Sequence, residues 1–72
     1  MRKEATLKNP IYPNLAATMA KHNDTQQGLA DSLGIERTSF NAKYRGKSPW
    51  KLTEAFALAK RYNKTVEWLF DN

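Results

Sequence analysis

The sequence contains no cysteine and only one histidine among its 72 residues. Disulfides and thiolate metal sites are therefore excluded. His22 has no ligand residues or nucleophile placed around it in the sequence that would indicate a metal site or a catalytic triad. We accordingly expect no metal, no cofactor and no enzymatic activity.

Long apolar stretches are also missing. No run approaches the about 18 residues that a membrane-spanning helix needs, and no apolar segment follows the charged N-terminal residues as it would in a secretory signal. Hydrophobic residues still make up 40% of the chain, which suffices for a small packed core. These features predict a single cytoplasmic domain.

Acidic residues are absent from residues 37–51, although the whole chain has seven. Positive and negative side chains balance in residues 1–36 and again in residues 52–72, so the middle segment supplies the entire formal net charge of +5. Its cations are Arg37, Lys43, Arg45, Lys47 and Lys51. A basic patch this localised is typical of a site that binds a polyanion.

Apolar residues recur at helical spacing, and nothing alternates with the period of a strand, so the pattern predicts an all-α fold. A loose arm is expected over residues 1–9 and one domain over residues 10–72. The five predicted helices cover about residues 13–21, 26–33, 37–45, 53–62 and 66–70. The side chains predicted to face the core are Leu15, Met19, Leu29, Ala30, Leu33, Phe40, Tyr44, Ala55, Phe56, Ala59, Tyr62, Val66, Leu69 and Phe70.

Local signals place the helix ends. Thr25 and Thr65 can each cap a helix N-terminus, because a threonine hydroxyl accepts one of the free N–H groups of the first turn. Gly34 follows the last apolar residue of the second helix and suits a tight turn with positive φ. The second helix, this turn and the third helix predict a helix–turn–helix, in which the third helix can lie in a DNA major groove.

Residues 25–40 contain Thr-Gln-x-x-Leu-Ala followed by Leu-Gly-Ile, and they resemble the helix–turn–helix of the phage repressor and Cro family, which includes the lambda and 434 repressor DNA-binding domains. The resemblance covers residues 12–70. It is particularly marked for small regulators of Gram-positive phages and prophages that begin with Tyr-x-Asn-Leu, here Tyr12-Pro13-Asn14-Leu15. It implies a five-helix DNA-binding domain whose helices 2 and 3 form the motif. Two residues depart from the family: Glu36 stands where a Ser or Asn cap is usual, and Gly28 lies inside helix 2.

Four outward residues of the third helix are predicted to read bases. Arg37 can donate to guanine O6 and N7, and Thr38 can offer its hydroxyl or its methyl group. Asn41 can meet a base edge or a phosphate, and Ala42 a thymine methyl group. The competing interpretation for all four is a solvated helix face.

The remaining cations of the basic segment are predicted to contact phosphates. The cluster as a whole supports this prediction, whereas a single exposed cation would not. They are Lys43, Arg45, Lys47 and Lys51. Gln26 resembles the family's glutamine at the start of the first motif helix, and the resemblance implies that it meets a phosphate and braces the recognition helix. The resemblance also implies pairing of the terminal helices in a dimer. Trp68, Leu69 and Phe70 would form that interface, or else complete the core of the monomer.

The sequence thus predicts a sequence-specific double-stranded DNA-binding transcriptional regulator, a repressor or Cro-like protein that acts by occupying an operator as a homodimer. No small-molecule substrate and no membrane partner are expected. The alternative is a protein-interaction module, such as an antitoxin or an anti-repressor partner, whose basic loop meets an acidic protein. Replacement of Arg37 by alanine separates the two, because only a DNA reader loses base-specific affinity.

Overall fold

The computed structural model describes residues 10–72, and these residues form five helices and no strands. The helices are α1 (Pro13–Lys21), α2 (Gln26–Leu33), α3 (Arg37–Tyr44), α4 (Leu52–Tyr62) and α5 (Val66–Leu69). The all-α prediction is confirmed, and each predicted helix boundary lies within one residue of the observed one. The predicted arm, residues 1–9, lies outside the described residues.

The predicted caps are present at both threonines. Thr25 Oγ1 accepts the N–H of Gly28 at 3.0 Å, and Thr65 Oγ1 accepts the N–H of Trp68 at 3.0 Å. Gly34 ends α2 with φ of 73°, and the next N–H, of Ile35, donates to the Ala30 carbonyl at 3.0 Å. These contacts span five residues or fewer, which is why sequence spacing alone could indicate them.

The core lies between the helices and is made of large apolar side chains. Those that are fully buried are Phe40, Leu15, Leu29, Leu58 and Leu69. Burial of one such side chain stabilises the fold by about 1.5–3 kcal/mol. Helices of eight or nine residues are marginal on their own in water, so this packing, more than intrinsic helix propensity, holds them.

Polar contacts fasten the first helix and the turn after it. Asn14 Nδ2 donates to the Trp68 carbonyl at 2.8 Å and so joins α1 to α5. Asp24, in the α1–α2 turn, accepts Arg61 Nη2 at 3.0 Å and the Tyr62 hydroxyl at 2.6 Å. The hydrogen bonds from Arg61 and Tyr62 hold the pKa of Asp24 below its ordinary 3.8. Burial, and secondly the Asp24 carboxylate, raise the pKa of Tyr62.

One predicted core residue of α4 is wrong. Phe56 is 56% exposed, whereas Leu58 is 1% exposed and occupies the core position on that helix. The helix carries two overlapping apolar stripes at helical spacing, one through Leu52 and Phe56 and one through Leu58 and Tyr62. Only the second stripe faces the core. No helix within residues 10–72 is long and apolar enough to cross a membrane.

Candidate nucleic-acid interface

The second and third helices form the most extensive helix pair in the described part of the chain. Leu29 and Ala30 are fully buried beneath α3, and the small Ala30 side chain allows the two helices to approach closely. Phe40, in the middle of α3, is also fully buried and anchors this helix in the core. Gly34 supplies the turn, so α2 and α3 are compatible with a helix–turn–helix.

The structure brings the predicted base-reading residues onto one face of α3. At about 100° per residue, Arg37, Thr38, Asn41 and Ala42 fall within an arc of about 140°. Arg37 and Thr38 are exposed, and Asn41 and Ala42 are half-buried. Phe40 lies outside this arc and faces the core. The predicted set therefore shares one side of α3, with its two exposed members in the first turn.

A hydrogen bond joins the two helices at this surface. Asn41 Nδ2 donates to Gln26 Oε1 at 3.0 Å, and both side chains are half-buried. The bond uses one donor of Asn41 and one acceptor of Gln26. The Asn41 oxygen and its second N–H, and both N–H groups of Gln26, are left for other partners. The predicted bracing of α3 by Gln26 thus has a specific contact, which sequence analysis did not identify.

Glu36 occupies the N-cap position of α3 but makes no side-chain cap hydrogen bond. Its side chain is exposed next to the N-terminal N–H groups, where a negative charge is favourable.

Gly28, inside α2, also has a structural explanation. A Cβ at that position would come within 3.2 Å of Thr25 Oγ1, the same oxygen that caps α2. The glycine therefore leaves room for the cap.

Three of the predicted phosphate-binding cations are exposed and follow α3 in the chain. Arg45 ends that helix, and Lys47 and Lys51 lie on the connection to α4. Trp50 anchors this connection, because its ring lies 5.3 Å from the ring of Phe40 and 5.2 Å from that of Phe70, at the end of the terminal helix. The basic connection is thus tied to the core while its charged side chains remain at the surface.

The prediction that Lys43 contacts phosphate is wrong. The residue is only 8% exposed, and its Nζ lies 2.6 Å from both carboxylate oxygens of Glu54. Glu54 Oε1 also accepts the Lys51 N–H at 2.9 Å. Burial raises the pKa of Glu54, but the Lys43 and Lys51 hydrogen bonds outweigh that effect and hold the pKa below its ordinary 4.5. The lysine lies on the side of α3 that faces α4, so its charge is neutralised inside the protein.

The predicted dimer residues of the terminal helix do not share one surface. Leu69 is fully buried and belongs to the monomer core, so its assignment to a dimer interface is wrong. Phe70 is half-buried, with its ring 5.5 Å from that of Tyr12. Trp68 is 42% exposed, and the Lys64 ammonium lies 4.8 Å from its ring centroid. Only Trp68 is available as an exposed side chain.

Within residues 10–72, no group of three or more His, Cys, Asp or Glu residues is placed to hold a metal ion. The fold and the surface of α3 define a small all-helical domain compatible with a helix–turn–helix. The model of the BetR domain family matches residues 4–72, and the chain belongs to that family. No curated protein and no solved structure matches the chain.

Proposed function

We propose that this chain is a sequence-specific double-stranded DNA-binding transcriptional regulator that occupies an operator, as the phage and prophage regulators that it resembles do. One observation carries the proposal. Arg37 and Thr38 are exposed at the start of α3, and the exposed cations Arg45, Lys47 and Lys51 follow at its end and on the connection to α4. Base-reading side chains flanked by phosphate-binding cations are what a recognition helix needs.

The two parts of this surface have separate roles. Arg37 and Thr38 would contact base edges from the first turn of α3, with Asn41 held in register beside them by Gln26. Gln26, at the start of α2, would donate its amide N–H groups to a phosphate. Ala42 is the small outward residue that leaves space for a thymine methyl group.

The cations would set affinity rather than sequence preference. Each phosphate that a cation neutralises contributes about −0.9 to the slope of log affinity against log salt concentration. Lys47→Ala should therefore weaken binding similarly on all duplexes and reduce the slope by about 1. Lys43 should not contribute to this slope, because its charge is already paired with Glu54.

Selection of bound sequences from random duplexes, followed by titration of Arg37→Ala, tests the proposal. The variant should lose about 1–3 kcal/mol of binding free energy on the selected site and lose preference at one base position. Lys21→Ala is the matched control, because this exposed cation ends α1 and lines a groove with Lys64 and Trp68 rather than with residues of α3, so its loss should leave the base preference unchanged.

A selection that enriches no duplex would reject sequence-specific binding and favour the protein-interaction module instead. An equal loss of affinity by Arg37→Ala on every duplex would reassign this residue to phosphate contact. Enrichment of a palindrome would indicate that two copies bind together. We include such a homodimer on DNA in the proposal, with half-sites about one helical turn apart.

A further inference from the structure

We infer that two copies of this chain pair on DNA through the exposed apolar face of α4 formed by Leu52 and Phe56. This inference rests on the proposed DNA-binding function. Leu52 is 67% exposed and Phe56 is 56% exposed, the two highest values for large hydrophobic side chains within residues 10–72. They lie one helical turn apart, so their side chains are neighbours on the helix surface.

The exposed face continues into a groove between α4 and α5. The groove has a volume of about 640 Å³, and Leu52, Phe56 and the half-buried Val66 contribute its apolar lining. A contiguous apolar surface of this kind marks an interaction site more often than scattered exposed residues do. Nothing in the chain's own described fold covers it.

The charges on the rim favour a second copy of the chain as the occupant. Lys60, Lys64 and Glu67 all line the groove, so its rim carries charges of both signs. A two-fold interface presents the same patch twice, so a rim with both signs can place the lysines of one copy opposite the glutamate of the other. A groove for a nucleic acid or an acidic segment is expected to carry mainly cations.

The position of the face along the chain agrees with pairing on DNA. Leu52 directly follows Lys51, the last cation of the exposed basic connection. Pairing through Leu52 and Phe56 therefore brings the two basic connections close to each other. It would also place the two recognition helices about a common two-fold axis, as binding to two symmetric half-sites requires.

The area of the face indicates a weak interaction in solution. The exposed parts of two such side chains amount to an area on the order of 200 Å², whereas a stable interface buries about 800 Å² per partner. Adjacent half-sites hold two copies at a high effective concentration, which strengthens a weak contact without new surface. We therefore expect a monomer in dilute solution and a dimer on a palindromic duplex.

Sedimentation equilibrium of the full chain, loaded up to about 1 mM, tests the surface without DNA, because weak interfaces associate only at such concentrations. The wild type should self-associate at the upper end of the range, and Phe56→Glu should weaken association at least about tenfold, since the charge enters a two-fold interface twice. Trp68→Glu is the matched control: it adds the same charge at an exposed aromatic residue that does not line the groove. Circular dichroism confirms that each variant is folded.

Titration of a selected palindrome and of its isolated half-site gives the second readout. Phe56→Glu should bind the half-site as Trp68→Glu does, yet bind the palindrome at least about tenfold more weakly. The inference is overturned if Phe56→Glu behaves like the wild type in both experiments, or if Trp68→Glu alone disrupts pairing. A wild type that stays monomeric and gains nothing from the second half-site also overturns it. If the protein binds no duplex but still self-associates in a way that depends on Phe56, the proposed function is rejected and the assignment of this face as the pairing surface is retained.

Discussion

The ion pair between Lys43 and Glu54 joins the end of α3 to the start of α4, and its disruption should be costly. In Glu54→Gln, the amide oxygen still accepts the Lys51 N–H, but the negative charge opposite Lys43 Nζ is lost. The two side chains are only 10% and 7% exposed, so little water can reach the ammonium in place of the carboxylate. Removal of one partner from a buried ion pair costs about 3–5 kcal/mol.

That cost is large relative to the stability of so small a domain. A chain of 72 residues is expected to have a free energy of unfolding of about 4–11 kcal/mol. We therefore expect Glu54→Gln to lower the free energy of unfolding by about 3 kcal/mol or more, which is sufficient to shift the Tm by at least about 10 °C. Urea and thermal unfolding followed by far-ultraviolet circular dichroism measure both quantities.

A double variant separates the buried charge from other effects of the substitution. Lys43→Met combined with Glu54→Gln removes the unpaired ammonium and keeps the acceptor for the Lys51 N–H, so it should recover much of the lost stability. Asp31→Asn is the control, since the same acid-to-amide type of change at an exposed position should alter stability by less than about 0.5 kcal/mol. The role assigned to the pair would be refuted if Glu54→Gln lowered the free energy of unfolding by less than about 1 kcal/mol, or if the double variant were no more stable than Glu54→Gln.

Two further predictions concern acid stability and the turn between α2 and α3. The pKa values of Asp24 and Glu54 are lowered in the folded state, so their contribution is complete above the ordinary values of 3.8 and 4.5 and is lost as the pH falls below them. The urea midpoint should thus be flat from about pH 7 to 5 and fall below about pH 4.5, with a smaller fall in Glu54→Gln. Gly34→Ala should cost about 1–2 kcal/mol because φ is 73° there and no neighbour lies within 4 Å of an added Cβ, so backbone strain alone acts. Gly34→Asn should cost less in the same unfolding assay, since Asn23 and Asn63 already adopt φ of 57° and 55° at helix ends, and equal losses would argue against strain.

Sequence patterns predicted the helices well because the determinants of helix ends are local. The hydroxyl groups of Thr25 and Thr65 accept N–H groups three residues away, and Gly34 ends α2 through the positive φ of its own backbone. Residues that depend on packing between helices were harder to predict. Phe56 and Leu58 lie on two overlapping apolar stripes of α4, and only the placement of the other helices decides which stripe is buried.

The candidate site shows the same limit in its charges. The charge balance of the sequence assigns Lys43 no acidic partner within residues 37–51, because its partner Glu54 is eleven residues away on the next helix. Arg61 appears balanced by nearby acids but is paired with Asp24, which is 37 residues away. Pairing in three dimensions therefore leaves the segment 37–51 with four outward cations rather than five. Those four are exposed and lie on α3, at its end or on its connection to α4, so the remaining charge is concentrated in the segment that carries the proposed DNA contact.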